Sequence, residues 1–229
     1  MSAPARGVDV SSWQHPNNEP IDWERVAASG VTFAIIKATQ SDTYVNPWLR
    51  RDYDDAFAAG LLVGAYHYYD ASAEATKQAE HFVGTLIGMR LDVHAWLDLE
   101  VTAPNEWTLA GYVNTFLEAC KDGRPGTGLY CNLATCQELQ KASVNVSALW
   151  LADWGQPTPP SAATIWQTGM GTVDGIPGTV DLDELVSTRG INLPTTPPPR
   201  PSATTVHAVE VEAEPADEEQ EEPSPTSPS

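Results

Sequence analysis

Basic residues are scarce in this chain: 12 Lys and Arg stand against 31 Asp and Glu, a formal net charge of −19 over 229 residues. Nucleic-acid binding is excluded, because neutralising phosphates requires clustered Lys and Arg and none are clustered here. Cysteine is scarcer still. Cys120, Cys131 and Cys136, an odd set, form no disulfide framework and read as buried free thiols of a protein made in a reducing compartment. No apolar run is long enough to cross a bilayer, and residues 1–6 lack the apolar core of a signal peptide; neither membrane insertion nor leader-directed secretion is expected. His15, His67, His81 and His94 occur singly, without H-E-x-x-H or Cys/His spacing, so no metal and no cofactor is expected. The G-x-S-x-G elbow of serine hydrolases is also missing.

The last 36 residues, 194–229, lack glycine and aromatic side chains altogether, yet hold 9 of the 19 prolines. Eight acids, from Glu210 to Glu222, face the single basic residue Arg200, for a net charge of −7 against −12 on residues 1–193. A segment with so little to bury cannot offset its ordering entropy. Residues 1–193 are therefore expected to hold one folded domain, packed from about residue 6, and 194–229 a disordered Pro/Glu-rich acidic tail.

Within the domain, short apolar runs at residues 7–13, 31–39, 61–69, 94–100 and 127–132 alternate with amphipathic stretches at 22–29, 47–59, 73–88, 108–121 and 133–141. In the third stretch Ala75, Ala79, Phe82, Val83 and Leu86 share one helical face. Such alternation implies parallel strands joined by crossover helices. Three more strand candidates, at 148–154, 164–168 and 179–185, are separated by Pro/Gly-rich segments too short for full helices. Eight strands with five helices predict an α/β fold: an irregular TIM-like barrel of five β/α units followed by three strands with few helices. An open doubly wound sheet is disfavoured, because Asp9-Val10-Ser11-Ser12-Trp13-Gln14 stands where a Gly-rich phosphate loop would follow the first strand.

In a parallel barrel the chemistry sits at the C-terminal ends of the strands. The fourth run ends Trp96-Leu97-Asp98-Leu99-Glu100, and residues two apart on a strand point the same way, so Asp98 and Glu100 project together. Two carboxylates this close cannot both ionise easily; one pKa rises and keeps a proton for general-acid work. Asp9 in the first run, and Asp181 and Asp183 in the last, add acids at neighbouring strand ends. Trp13, Tyr66, Tyr68, Trp96, Tyr130, Trp154 and Trp166 lie close by in sequence. Acids in an aromatic-walled mouth suit a carbohydrate, whose ring faces stack while its hydroxyls form hydrogen bonds.

These residues carry a family resemblance. Gly7-Val8-Asp9-Val10-Ser11-Ser12-Trp13-Gln14, Phe33-Ala34-Ile35-Ile36-Lys37-Ala38-Thr39, Gly64-Ala65-Tyr66-His67-Tyr68 and Trp96-Leu97-Asp98-Leu99-Glu100 follow one another in order. Leu149-Trp150-Leu151-Ala152-Asp153-Trp154, Ile165-Trp166-Gln167 and Val180-Asp181-Leu182-Asp183 complete the set. Over residues 7–190 the chain resembles glycoside hydrolase family 25, the Chalaropsis-type lysozymes common among bacteriophage endolysins.

The resemblance implies an N-acetylmuramidase that hydrolyses the β-1,4 bond between N-acetylmuramic acid and N-acetylglucosamine in bacterial peptidoglycan. It implies Glu100 as the general acid, and Asp98 as a nucleophile or as a stabiliser of the substrate's attacking 2-acetamido group. Asp9 and Asp181 complete the catalytic acids. Asp183 is a weaker candidate, at a position that is often Asn in the family. Tyr66, Tyr130, Trp154 and Gln167 are implied sugar contacts, with Lys37 a counter-charge inside the barrel. Strand spacing leaves retention and inversion both open, because Cα atoms two residues apart lie roughly 6.5–7 Å from each other. A chitinase-like barrel is disfavoured by the absence of D-x-x-D-x-D-x-E. The alternative is a non-catalytic peptidoglycan-binding module with a decayed site, against which the full set of acids argues. The expected setting is a monomer held in the cytoplasm of an infected bacterium until a holin opens the membrane to the wall.

Overall fold

The computed structural model describes residues 5–100, 106–121, 127–144, 146–191 and 193. Five strand–helix pairs come first: β1 (Ala5–Val10) with α1 (Trp23–Ala28), β2 (Phe33–Gln40) with α2 (Leu49–Ala58), β4 (Leu62–Tyr68) with α3 (Ala75–Thr85), β5 (Ala95–Asp98) with α4 (Glu106–Lys121), and β6 (Thr127–Asn132) with α5 (Leu133–Lys141). Three strands follow, β7 (Leu149–Ala152), β8 (Ile165–Gly171) and β9 (Val180–Leu185). A two-residue strand, β3 (Tyr44–Val45), folds back antiparallel on the end of β2. The order β1-β2-β4-β5-β6-β7-β8-β9 returns to β1, which closes an eight-stranded barrel. The expected tail, 194–229, lies outside the described residues.

The last strand departs from the parallel pattern of the others. The barrel strands β1, β2 and β4 through β8 run parallel, but β9 is antiparallel to both of its neighbours, β8 and β1. The cause is the connection. Residues 172–179 hold Gly175, Pro177 and Gly178 and no helix, and a short link can only return the chain beside itself; a parallel partner needs a long crossover. The reversal puts the start of β9, not its end, at the mouth of the barrel.

Strand alternation sorts the side chains into two cores. Ala34, Ile36, Val63, Leu97, Leu129 and Leu151 point outward against Val26, Ala56, Phe82, Val113, Phe116 and Leu139 of the helices. Phe33, Ile35, Tyr66, Trp96, Tyr130 and Trp150 point inward and fill the barrel. Lys37 has the same parity as Phe33 and Ile35, so β2 delivers it to the interior. The bulky interior rings need gaps opposite them. A Cβ on Gly7 would lie 2.2 Å from the Phe33 ring, and one on Gly128 would lie 2.4 Å from the Trp96 ring. Trp150 packs against Trp96 and Tyr130, with ring centroids 5.8 and 4.5 Å apart, and closes the barrel beneath the mouth.

Candidate active site

The strand ends converge on one cleft lined by Asp9, Lys37, Tyr66, Asp98, Glu100, Tyr130, Trp154, Gln167 and Asp181, whereas Asp183, Trp96 and Trp166 lie outside its lining. Asp9 comes from β1, Lys37 from β2, Tyr66 from β4, Asp98 from the last position of β5, Tyr130 from β6 and Gln167 from β8. Glu100 lies two residues beyond β5. The Leu99 N–H still donates to the Tyr130 carbonyl at 3.0 Å, so the extended direction persists and Glu100 emerges above Asp98. Asp181, second in the reversed β9, pairs with Asp9 across the β1–β9 ladder. Because β9 runs inward from the mouth, Asp183 lies deeper than Asp181 and is 2 % exposed.

A hydrogen-bond chain links the floor to the rim. The Gln167 amide is oriented from both sides: Oε1 accepts from Tyr130 Oη at 3.0 Å and Trp154 Nε1 at 2.9 Å, while Nε2 donates to Asp9 Oδ2 at 3.0 Å. Tyr130 Oη also lies 3.4 Å from Glu100 Oε1. A tyrosine hydroxyl has one hydrogen, and Gln167 is the nearer acceptor. Tyr130 therefore stands between two acceptors and gives its hydrogen to Gln167 or to Glu100. Below, the Trp150 indole donates to Asp183 Oδ1 at 2.8 Å.

The electrostatics follow from this crowding. Burial, then the charge of Glu100, holds the Asp98 carboxyl well above the usual range, and Lys37 acts against them. Glu100 stands at the exposed rim but is walled in, and this desolvation raises its carboxyl too, opposed by hydrogen bonds from Tyr130 and Tyr68 and by the Lys37 charge. Both members of the pair rise, where repulsion alone would lift one, because desolvation outweighs their mutual charge. Burial followed by Asp181 and Asp183 raises Asp9 well above its ordinary value, and burial followed by Glu100 brings Asp181 to about 6. Lys37 is 5 % exposed; its Nζ donates to Gln40 Oε1 at 2.7 Å and lies 5.0 Å from the Tyr68 ring centroid.

Sequence reasoning missed Asn132 and Met170 as lining residues. Asn132 ends β6 and caps α5, accepting from Thr135 N–H at 2.8 Å; its place as a polar residue at a strand end was a usable signal. Met170 was hidden by the register shift between Gln167 and Gly169, which breaks simple alternation along β8. Trp13 stands 52 % exposed on the rim, offering an aromatic face to the cleft.

Comparison with known proteins adds to this geometry. The family model for glycosyl hydrolases family 25 matches residues 8–176. An autolytic lysozyme of Clostridium acetobutylicum is 32 % identical over 191 residues, which cover 78 % of this chain and 55 % of that protein. The chain thus spans little more than half the length of that relative. The crystal structure of a bacterial lysozyme from Streptomyces coelicolor superposes with a TM-score of 0.68 at 26 % identity, covering 82 % of this chain and 94 % of the other. The CTP1L endolysin structure matches at TM-score 0.68 and 25 % identity, over 80 % of this chain and 66 % of that one.

Proposed function

The chain belongs to glycosyl hydrolases family 25, and from that premise we propose that it is an N-acetylmuramidase, cleaving the β-1,4 bond from N-acetylmuramic acid to N-acetylglucosamine in peptidoglycan. The observation that carries this reading is the Asp98–Glu100 pair at the rim of an aromatic-walled cleft, where burial raises both carboxyls and keeps a proton at hand. Glu100 gives that proton to the glycosidic oxygen as the C1–O bond breaks. The positive charge that develops at C1 and the ring oxygen is met by Asp98, as nucleophile or through the substrate's 2-acetamido group. Glu100, now a carboxylate, takes a proton from the incoming water, whose oxygen bonds to C1 as the bond from C1 to Asp98 or to the acetamido oxygen breaks. Tyr130 swings its hydrogen toward Glu100 while that group is ionised. Asp9 and Asp181 orient the pair, and Trp13, Tyr66 and Trp154 supply sugar contacts.

Borohydride reduction of the digested wall tests the reading. Muramitol at the new ends supports it; glucosaminitol would keep a glycosidase but move the bond; no new ends with wall binding retained would favour a binding module. We assign the enzyme to phage lysis on the likeness to an endolysin structure. Expression inside a bacterium with and without a holin tests this, lysis being expected only with it.

A further inference from the structure

We propose that His15 and Asp52 are positioning residues for sugar binding: their buried contact pins the arm of residues 12–20 at the rim and holds the Trp13 indole as a stacking face on the cleft. The proposal rests on the reading of the cleft as a glycan site.

The arm leads from β1 toward α1. It begins as a single helical turn, Ser12–Gln14, that puts Trp13 and Gln14 in the cleft lining. Ser11 closes the turn: its Oγ accepts from the Trp13 N–H at 3.2 Å, and its N–H donates to Gln14 Oε1 at 2.9 Å. These bonds shape the turn but leave its place on the barrel undecided. Further on, Pro16 to Pro20 are exposed, and Asn17 and Asn18 stand at φ 57° and 59°, in the left-handed region. Two successive non-glycine residues there cost backbone energy and persist only where the surroundings hold them. Of residues 12–20, His15 alone is buried.

His15 is held on three sides. Its Nε2 lies 2.8 Å from Asp52 Oδ2, and its Nδ1 donates to the Glu19 carbonyl at 2.9 Å. The ring lies flat on Trp48, with centroids 3.8 Å apart and planes 3° from parallel. Asp52, buried on α2, also accepts from the Trp23 indole of α1 at 3.1 Å. One carboxyl thus gathers α1, α2 and the arm, while the Glu19 bond closes the far end of the arm on His15. The ties from Ser12 to the Tyr44 hydroxyl, 3.3 Å, and from Gln14 to the Thr179 carbonyl, 3.4 Å, are longer and weaker. The buried pair therefore decides where the arm sits. Trp13 has no proton to move, so fixing its indole beforehand favours substrate binding and leaves turnover alone.

The test measures kcat and KM of full-length wild type, W13A, H15F, D52N and the H15F/W13A double variant on soluble peptidoglycan fragments, with amide hydrogen exchange alongside. H15F keeps a ring for Trp48 but has no N–H. W13A should raise KM on the order of 10-fold and H15F roughly 3- to 10-fold, each with kcat within about 2-fold of wild type. The double variant should match W13A, because His15 acts through Trp13. D52N should keep KM within about 2-fold, its oxygen accepting from Trp23 and its N–H donating to His15 Nε2. The N–H groups of Gln14, His15, Asn18 and Glu19, all bonded within the arm, should exchange slowly in wild type and fast in H15F. An unmoved KM in W13A or H15F, losses that multiply in the double variant, or D52N as poor as H15F would each overturn the proposal. So would unprotected arm amides in wild type, a result that stands even if H15F does not fold. A wild type that binds the fragments without cleaving them would refute the muramidase reading alone, and dissociation constants would then replace KM in the same comparison. A wild type that neither binds nor cleaves them would overturn both.

Discussion

Tyr130 Oη sits between two acceptors, 3.0 Å from Gln167 and 3.4 Å from Glu100, with a single hydrogen to give. That geometry makes Tyr130 the switch point between protonated and ionised Glu100. Tyr130→Phe should lower kcat roughly 10- to 100-fold, the loss of one hydrogen bond to a charged group at about 1.5–3 kcal/mol. The bond lowers the Glu100 pKa, so its removal should also move the alkaline limb of the pH–rate profile upward. Steady-state kinetics from pH 4 to 9 checks both. A full-activity variant with an unmoved limb would remove Tyr130 from the account.

Lys37 acts on the same pair through its charge, lowering both Asp98 and Glu100. Lys37→Met keeps the stem and deletes the charge, so both carboxyls rise. Asp98 works as an anion, so the acid limb of the profile should move toward higher pH, by roughly one pH unit. A limb that stays in place would show that Lys37 serves packing alone.

How much of this was legible in the sequence can be judged residue by residue. Period-two alternation was enough to pair Asp98 with Glu100, whereas the place of Lys37 inside the barrel was implied by the family resemblance. The direction of β9 was not legible, because hydropathy is the same read either way along a strand; only the short 172–179 link betrays it. Met170 escaped because the register shift after Gln167 breaks the alternation on which the reading depended. The depth of Asp183 depends on that same strand direction, so it too was out of reach.

The raised carboxyls make a statement about stability. Asp181 moves from 3.8 to about 6 on folding. A carboxyl raised in the folded state binds more protons there than in the unfolded chain, so its contribution is full below pH 3.8 and is lost as pH rises through about 6. Asp181→Asn should therefore stabilise the fold relative to wild type at pH 7, by on the order of 2 kcal/mol and visible as a raised Tm, and leave Tm nearly unchanged at pH 4. Calorimetry at the two pH values decides; an equal effect at both would contradict the linkage.

Glycine positions give a test of the barrel itself. Gly7→Ala drives a methyl into the Phe33 ring and should cost about 1–3 kcal/mol. Gly111→Ala, on the exposed side of α4 with nothing within 4 Å, should stabilise by roughly 0.5–1 kcal/mol. Urea midpoints measure both. Similar midpoints for the two variants would mean that the barrel interior is not packed as described.

The most direct test of the central claim compares wild type and Glu100→Gln on purified peptidoglycan, with mass spectrometry of the products and a parallel wall-binding assay. Wild type should release fragments with muramic acid at the reducing end. Glu100→Gln should bind the wall equally well and cleave it on the order of 10²- to 10⁴-fold more slowly, the usual loss for a missing general acid. A Gln variant that cleaves at the wild-type rate would contradict the assignment of Glu100 as the proton donor.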